Sequence, residues 1–576
     1  SILWSIGSFT LPAGYAMSTD GGNSDARGVK GEVLLEMRGL TIEGHADGQW
    51  LGIVHGIDVT LRRGEVLGLI GESGAGKSTI GIAAMGYAKP GCRITQGSIK
   101  FDNLELTTAT EEEKRILRGS RIAYVAQSAA ASFNPAHKLI DQFSECVVQH
   151  GTGSREQAYA DAKELYNRIK MPDPDRIGFR YPHQVSGGQL QRAMTAMALS
   201  CRPNLIIFDE PTTALDVTTQ IEVLSTIRDI VQQFNTAAIY ISHDLAVVAQ
   251  MADKILVLRD GEPIEEAETR TMISRPKQEY TKSLWAVRSF QKSTTPLTFK
   301  STPHIKIEQV TAAYAKSTDN VLVDVNFEIM QGETVAIVGE SGSGKSTMAR
   351  VITGLLPPKH GMVFFEGAQL PNDYRDRTAQ QLQKIQMIYQ MPDTAINPRQ
   401  KIRQIVGRQL SLHLDLEGDA KQRRLEDLMD MVDMTPTRYL DRYPEELSGG
   451  QKQRVCIARA LAADPSFVIC DEVTSALDKI IAEGILRLLD RLQQELKLAY
   501  MFITHDLATV KAIADRVVVM RQGCIVEQGS RSEVFDPPYH EYTELLLSSV
   551  PEMDPDWMDR VIANRLQKNR MQPTRI

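Results

Sequence analysis

Two stretches of this chain are built to hold phosphate. Gly71-Glu72-Ser73-Gly74-Ala75-Gly76-Lys77-Ser78 and Gly339-Glu340-Ser341-Gly342-Ser343-Gly344-Lys345-Ser346 both fit G-x-x-x-x-G-K-[ST]. Small residues let successive backbone N–H groups curl around phosphate oxygens, and the start of a following helix adds positive partial charge. Lys77 and Lys345 are expected to reach the β and γ phosphates of a nucleotide. Ser78 and Ser346 are expected to ligate Mg²⁺ through their hydroxyls, with Thr79 and Thr347 closing each loop. A glycine loop alone leaves several classes of phosphoryl-transfer protein open.

Acidic pairs narrow the chemistry. Asp209 and Asp471 end the apolar runs Leu-Ile-Ile-Phe-Asp and Phe-Val-Ile-Cys-Asp, which puts a carboxylate beside the metal. Glu210 and Glu472 follow at once, and alternation along a strand turns each away from its metal-binding neighbour. A second carboxylate there can polarise an attacking water as general base. Ser186-Gly187-Gly188-Gln189 and Ser448-Gly449-Gly450-Gln451 lie at equal distances ahead of those pairs, each opening a helical stretch. Serine and two glycines at a helix start present backbone donors to an anion.

These residues repeat in one order. Lys77 and Lys345 are 268 residues apart, Gln127 and Gln390 263, and Ser186 with Ser448, the acidic pairs and His243 with His505 are all 262 apart. That is a duplicated domain of roughly 250 residues. Each half alternates β-branched runs with helical stretches, the pattern of an α/β domain with a largely parallel sheet. Glu65–Ile70 reads as a buried strand feeding the first loop, and Leu205–Phe208 and Ala238–Ile241 as strands that end in polar residues. Open parallel sheets place ligands at that end. The expected layout is an extension over 1–31, a first domain over 32–288, a linker over 289–304, a second domain over 305–550 and a tail over 551–576. At ~3.3 Å per extended residue the linker reaches about 50 Å, enough for the halves to face each other.

Composition excludes other classes. The formal net charge of −7 gives no global attraction for a phosphate backbone, which weakens a nucleic-acid reading while leaving room for a local basic patch; no nucleic-acid partner is expected. Six scattered cysteines show no metal spacing and read as reduced thiols. No run approaches the ~18 apolar residues of a membrane-spanning helix. Ser1–Ala16 is apolar but lacks a preceding basic region, so it reads as an extension upstream of a start near Met17 rather than a signal peptide.

Taken together, the motifs resemble the Walker A, Q-loop, signature, Walker B, D-loop and switch-histidine elements of ATP-binding cassette (ABC) ATPases, over about 500 residues. The resemblance implies two tandem P-loop nucleotide-binding domains, each with a mostly parallel core sheet, an antiparallel β subdomain and a helical subdomain. It implies ATP and Mg²⁺ as cofactors. Gln127 and Gln390 would contact Mg²⁺ and the water, His243 and His505 the γ-phosphate, and Asp216 and Asp478, in Ala-Leu-Asp, the domain interface. The halves are expected to pair head-to-tail, Lys77 and Glu210 working with Ser448, Gly449 and Gly450, and Lys345 and Glu472 with Ser186, Gly187 and Gly188.

Asn134-Pro135 and Asn397-Pro398 follow the two glutamines by seven residues, and Glu279-Tyr280-Thr281 and Glu541-Tyr542-Thr543 come near the domain ends. These features resemble the peptide, opine and nickel importer branch with its two ATPase subunits fused. The implied partners are two transmembrane permeases and, indirectly, an extracytoplasmic solute-binding protein. The implied location is the cytoplasmic face of the inner membrane. The rival is a soluble twin-cassette ATPase acting on ribosomes or nucleic acid, but the short linker, charged only through two lysines, lacks the insertions of such proteins.

Departures from the pattern shape three further expectations. Nothing after Cys524 resembles the branch's cysteine cluster, so no iron–sulfur site is expected. Tyr314, 31 residues before Lys345, is placed to stack on adenine, whereas the first half offers Ile42 to Gly44 and, farther on, Trp50. Val473 stands where the first half has Pro211, yet every charged candidate is present twice, so two competent sites are expected. The basic tail from Asp554 reads as a frayed terminus, with a short amphipathic helix as the alternative.

Overall fold

The computed structural model describes residues 31–46, 48–212, 215–286, 292, 302–314, 319–475 and 477–571. The extension ahead of residue 31 and most of the linker lie outside them. The chain forms two units, the described residues of Ser1–Leu215, Thr219–Lys282 and Pro551–Ile576 in one and of Asp216–Thr218 and Ser283–Val550 in the other.

In the first unit, β1 (Val33–Ala46), β2 (Gln49–Arg62), β4 (Cys92–Phe101) and β5 (Leu104–Glu105) form an antiparallel sheet of order β2-β1-β4-β5. The larger sheet has β3 (Val66–Gly71), β6 (Ile122–Val125), β7 (Leu205–Asp209), β8 (Ala237–Ile241), β9 (Lys254–Arg259) and β10 (Glu262–Glu268) in the order β10-β9-β3-β8-β7-β6. All its pairs are parallel except β9 with β10. Every residue of β3, β7 and β8 is buried, as their unbroken apolar sequences require of strands covered on both faces.

The core lies between the two sheets. Leu35, Met37, Ile99 and Phe101 from the antiparallel sheet pack with Leu67, Leu69, Ile207 and Ile239 from the parallel one, and Ile80 and Ala83 of helix α1 (Lys77–Ala83) fill the space between. A separate helical layer carries α2 (Leu139–Gln149) and α3 (Arg155–Arg168), where Phe143 and Tyr166 meet edge to face with centroids 6.0 Å apart. Helices α4 (Gly187–Leu199) and α5 (Leu245–Met251) complete what the site needs.

The second unit repeats this design. Its antiparallel sheet is β11 (Ile305–Ala312), β12 (Leu322–Ile329), β14 (His360–Phe365) and β15 (Ala368–Gln369) in the order β12-β11-β14-β15. Its main sheet is β13 (Thr334–Val338), β16 (Ile385–Ile388), β17 (Phe467–Asp471), β18 (Ala499–Ile503), β19 (Arg516–Arg521) and β20 (Cys524–Ser530), ordered β16-β17-β18-β13-β19-β20. Helix α6 (Lys345–Ile352) follows the second phosphate loop, α7 (Ile402–Leu414) and α8 (Gly418–Met431) form the helical layer, α9 (Gly449–Leu461) follows the second signature, and α10 (Leu507–Ile513) follows His505. The layout thus contains the parallel sheet, β subdomain and helical layer expected of each half.

The tail departs from the expectation of a frayed end. Trp557–Met571 forms helix α11, which belongs to the first unit, with Trp557, Met558 and Val561 buried.

Candidate functional site

Parallel β3, β6, β7 and β8 all end at one edge of the sheet, so the residues that follow them converge although they are far apart in sequence. The phosphate loop leaves β3 and enters α1 at Gly76, whose φ of 87° lies in the left-handed region and whose missing Cβ would stand 3.1 Å from the Ile53 carbonyl oxygen. A side chain is excluded there on both counts. Gly344 repeats this at φ 105° before α6. Ser73, Gly74, Ser341 and Gly342 are exposed at the loop tips, whereas Ala75, Ser343 and both lysines are buried.

Lys77 Nζ donates to the carbonyls of Gly71 and Glu72, each at 2.8 Å. Lys345 Nζ does the same to Gly339 at 2.9 Å and Glu340 at 2.7 Å. The ammonium groups are therefore folded over their own loops, and burial holds the Lys345 group below the ordinary lysine range. Ser78 Oγ donates to Asp209 Oδ1 at 2.9 Å, and Ser346 Oγ to Asp471 Oδ1 at 3.0 Å. A hydroxyl paired with a carboxylate is a hard-oxygen donor set, which suits Mg²⁺. Burial pushes the Asp471 carboxyl up, against the pull of the Ser346 hydrogen bond.

Strand alternation does not set the direction of Glu210 and Glu472. β7 and β17 end at the aspartates, and the glutamates sit just beyond in the left-handed region, at φ 49° and 50°. That conformation is costly for a residue with a side chain and clusters at functional positions. It is fixed here by backbone bonds of 2.9 Å from Glu210 N–H to Ile241 and from Glu472 N–H to Ile503. Gln127 Nε2 donates to Glu210 Oε2 at 3.0 Å, and His243 Nδ1 lies 3.0 Å from Glu210 Oε1. In the second unit Gln390 Nε2 donates to Glu472 Oε2 at 2.6 Å, and His505 Nδ1 is 3.5 Å from Glu472 Oε1. Burial alone would raise Glu472, but the contact with His505 brings it below the usual carboxylate range. Burial alone would lower His505, but Glu472 carries it above the usual imidazole range.

The signature residues take a structural role as well. Ser186 and Gln189 cap α4 reciprocally, Gln189 N–H donating to Ser186 Oγ at 3.3 Å and Ser186 N–H to Gln189 Oε1 at 3.1 Å. Ser448 and Gln451 do the same on α9 at 3.4 and 3.0 Å. Gly187 faces open space, whereas a Cβ on Gly188 would lie 2.7 Å from Thr219 Cγ2, and one on Gly450 2.5 Å from Ile481 Cγ2. Gly449 has room, its nearest neighbour being Leu477 at 3.6 Å. Asp478 caps the helix Lys479–Leu496 by accepting from Ile481 N–H at 3.0 Å. Asp216 accepts from Thr218 Oγ1 at 2.7 Å. Tyr314, just after β11, reaches α6, its hydroxyl 3.1 Å from Thr347 Oγ1 and accepting from Arg350 Nη1 at 2.8 Å.

Sequence reasoning missed two tyrosine roles. Tyr124, on β6 beside β7, donates its hydroxyl to Asp209 Oδ2 at 2.5 Å, and burial together with that carboxylate pushes its pKa up. Tyr542, singled out only as part of Glu-Tyr-Thr, accepts from the Glu340 backbone N–H at 3.1 Å, in the second phosphate loop. Tyr280, in the matching triplet, is pushed up to about 12 by burial and by Glu72 of the first loop. The duplicated triplet was the available signal.

The chain matches the family profile described as ABC transporter over residues 54–213 and 322–475, and that described as oligopeptide/dipeptide transporter, C-terminal region, over 526–574. It is 36% identical over 567 residues to the glutathione import ATP-binding protein GsiA of Salmonella paratyphi A, covering 91% of this chain and 90% of that one. It is 35% identical over 562 residues to the protein of the same name from Escherichia coli O157:H7, with the same coverage. Among solved structures, the cbiO1 protein of Clostridium perfringens, part of the cbiONQ ABC transporter complex, aligns with a TM-score of 0.38 at 30% identity, over 41% of this chain and 92% of that one.

Proposed function

We propose that this chain, which belongs to the ABC transporter family and is an ATP-hydrolysing protein, drives uptake of peptides or related small solutes. The observation that carries the importer reading is the oligopeptide/dipeptide transporter region at 526–574, joined to a likeness that runs through both cassettes. Its partners are two permease subunits in the inner membrane and, through them, an extracytoplasmic solute-binding protein. It sits on the cytoplasmic face; among the described residues no helix is long and apolar enough to cross a membrane.

Lys77 and Lys345 leave their own loop carbonyls to meet the β and γ phosphates, as loop N–H groups gather around them. Ser78 with Asp209, and Ser346 with Asp471, would hold Mg²⁺, which supplies positive charge against that of the phosphates. Glu210 and Glu472 accept a proton from the attacking water at a carboxylate oxygen, with Gln127 and Gln390 fixing one oxygen and His243 and His505 the other. The signature donors Ser186–Gly188 and Ser448–Gly450 add anion-stabilising N–H groups. Tyr314 meets the base at the second loop.

The test is purification from detergent-solubilised membranes, followed by uptake into vesicles. Hydrophobic subunits should co-purify, and a labelled tripeptide should accumulate only with ATP. Co-purification of ribosomal RNA without hydrophobic subunits would overturn the reading.

A further inference from the structure

Gln250, near the end of α5, is 5% exposed and makes three hydrogen bonds to the C-terminal segment. Its Nε2 donates to the carbonyls of Glu552 at 2.8 Å and Asp554 at 2.7 Å, and its Oε1 accepts from Met558 N–H at 3.1 Å. Both amide hydrogens and the carbonyl are thus engaged by main chain that is some 300 residues away in sequence. Around this clasp, Arg270 grips Asp556 with two bonds of 2.6 and 3.1 Å, Arg228 pairs with Asp559 at 2.5 Å, and Trp557, Met558 and Val561 are buried.

The other end of α5 leads into the reaction site. Asp244 caps the helix by accepting from Ala246 N–H at 2.9 Å, and the preceding residue, His243, lies 3.0 Å from Glu210 Oε1. Along the helix, Val248 packs so closely on β3 that a Cβ at Gly68 would stand 2.3 Å from its Cγ1. At 1.5 Å per residue about 7.5 Å of helix runs from Gln250 back to Leu245, and His243 lies two residues before that. The helix is the short covalent link between Gln250 and the imidazole.

The second unit is held differently. The residue matching Gln250 at the repeat spacing is Ala512, which has no side-chain hydrogen-bonding group. Its carbonyl accepts from the backbone N–H of Lys292 at 2.7 Å, and Lys292 Nζ binds Asp515 Oδ2 at 2.8 Å and Gln493 Oε1 at 2.7 Å. Each helix that follows a site histidine is pinned by chain distant in sequence, α5 by the C-terminal segment and α10 by Lys292.

We infer that Gln250 is a positioning residue for His243, and that the C-terminal strap Pro551–Val561 sets the alignment of this one histidine, leaving His505 to a separate anchor. The strap adjusts one reaction site without the other. A permease or regulator that lifts the strap would reach His243 alone.

The test uses the full-length chain carrying Gln250→Ala, and separately Arg270→Asp, which breaks the exposed grip on Asp556 while sparing the buried clasp. Amide hydrogen exchange, read by mass spectrometry, should quicken over residues 243–252 and stay unchanged over 505–514. In ATP hydrolysis, kcat should fall about 3- to 10-fold with KM for ATP within about twofold, because alignment rather than binding is disturbed. Arg270→Asp combined with Asp556→Arg should restore both readouts. Exchange unchanged over 243–252 in Gln250→Ala, or quickened equally over 505–514, overturns the inference. The exchange readout decides it even for a preparation without turnover, which would count against the ATPase reading instead.

Discussion

His243 Nδ1 lies 3.0 Å from Glu210 Oε1, and the opposite oxygen of that carboxylate accepts from Gln127. The glutamate is held from both sides, on a left-handed backbone. Such fixing suits a base that must accept a proton from one direction. Glutamine at Glu210 and Glu472 together keeps the size of each side chain and removes the proton acceptor. Phosphate release should fall at least about a hundredfold, the lower range for loss of a general base. ATP binding, measured by equilibrium titration, should persist. Undiminished phosphate release would remove both glutamates from the reaction.

Tyr542→Phe tests the tyrosine at the second phosphate loop. The ring is buried and stays, but Glu340 N–H loses its acceptor. Loss of one such bond costs about 1 kcal/mol, a several-fold effect on an equilibrium. ATP affinity at the second site should drop by about that factor. An unchanged titration with an unchanged melting temperature would show that the contact holds nothing.

Why was so much of this site legible beforehand? The strands under it are unbroken apolar runs, and the polar residues that end them announce themselves by contrast: Asp209 after Leu-Ile-Ile-Phe, and His243 after Ala-Ile-Tyr-Ile-Ser. Parallel pairing then does the assembly. Features fixed by distant partners left no such trace. The left-handed turn at Glu210 depends on the Ile241 carbonyl, and the tyrosine contact joins residues 202 positions apart. The docked tail helix was only the alternative reading, because the residues it buries, Trp557, Met558 and Val561, cluster at its start and much of its fixing comes from Gln250, Arg228 and Arg270.

The two signature glycines should behave differently from each other. Gly187→Ala meets no neighbour within 4 Å and should leave the melting temperature almost unchanged, whatever it does to activity. Gly188→Ala puts a methyl group 2.7 Å from Thr219 Cγ2, an overpacking that costs about 1–3 kcal/mol. Thr219→Ser deletes that methyl carbon, so the double variant should recover most of the loss. Calorimetry on the three proteins decides it: equal melting temperatures for Gly187→Ala and Gly188→Ala would contradict the packing argument.

Glu333 offers a test of electrostatics away from the reaction. Its carboxyl is fully buried, with Oε2 accepting from Met330 N–H at 2.7 Å and Oε1 3.7 Å from Arg516 Nη1. Burial pushes its pKa up, and the Met330 hydrogen bond and Arg516 recover only part of the shift. The folded state therefore binds this proton more tightly than the unfolded state. Its contribution is most favourable below the ordinary glutamate pKa, and is lost as pH rises from there through the raised folded value. Glu333→Gln keeps the acceptor for Met330 and abolishes the charge. The variant should be more stable than the parent at neutral pH, with the gain shrinking on acidification from the raised folded value down to the ordinary glutamate pKa. Denaturant midpoints measured at several pH values would reveal the trend, and a gain that grew on acidification would mean that Arg516 outweighs burial.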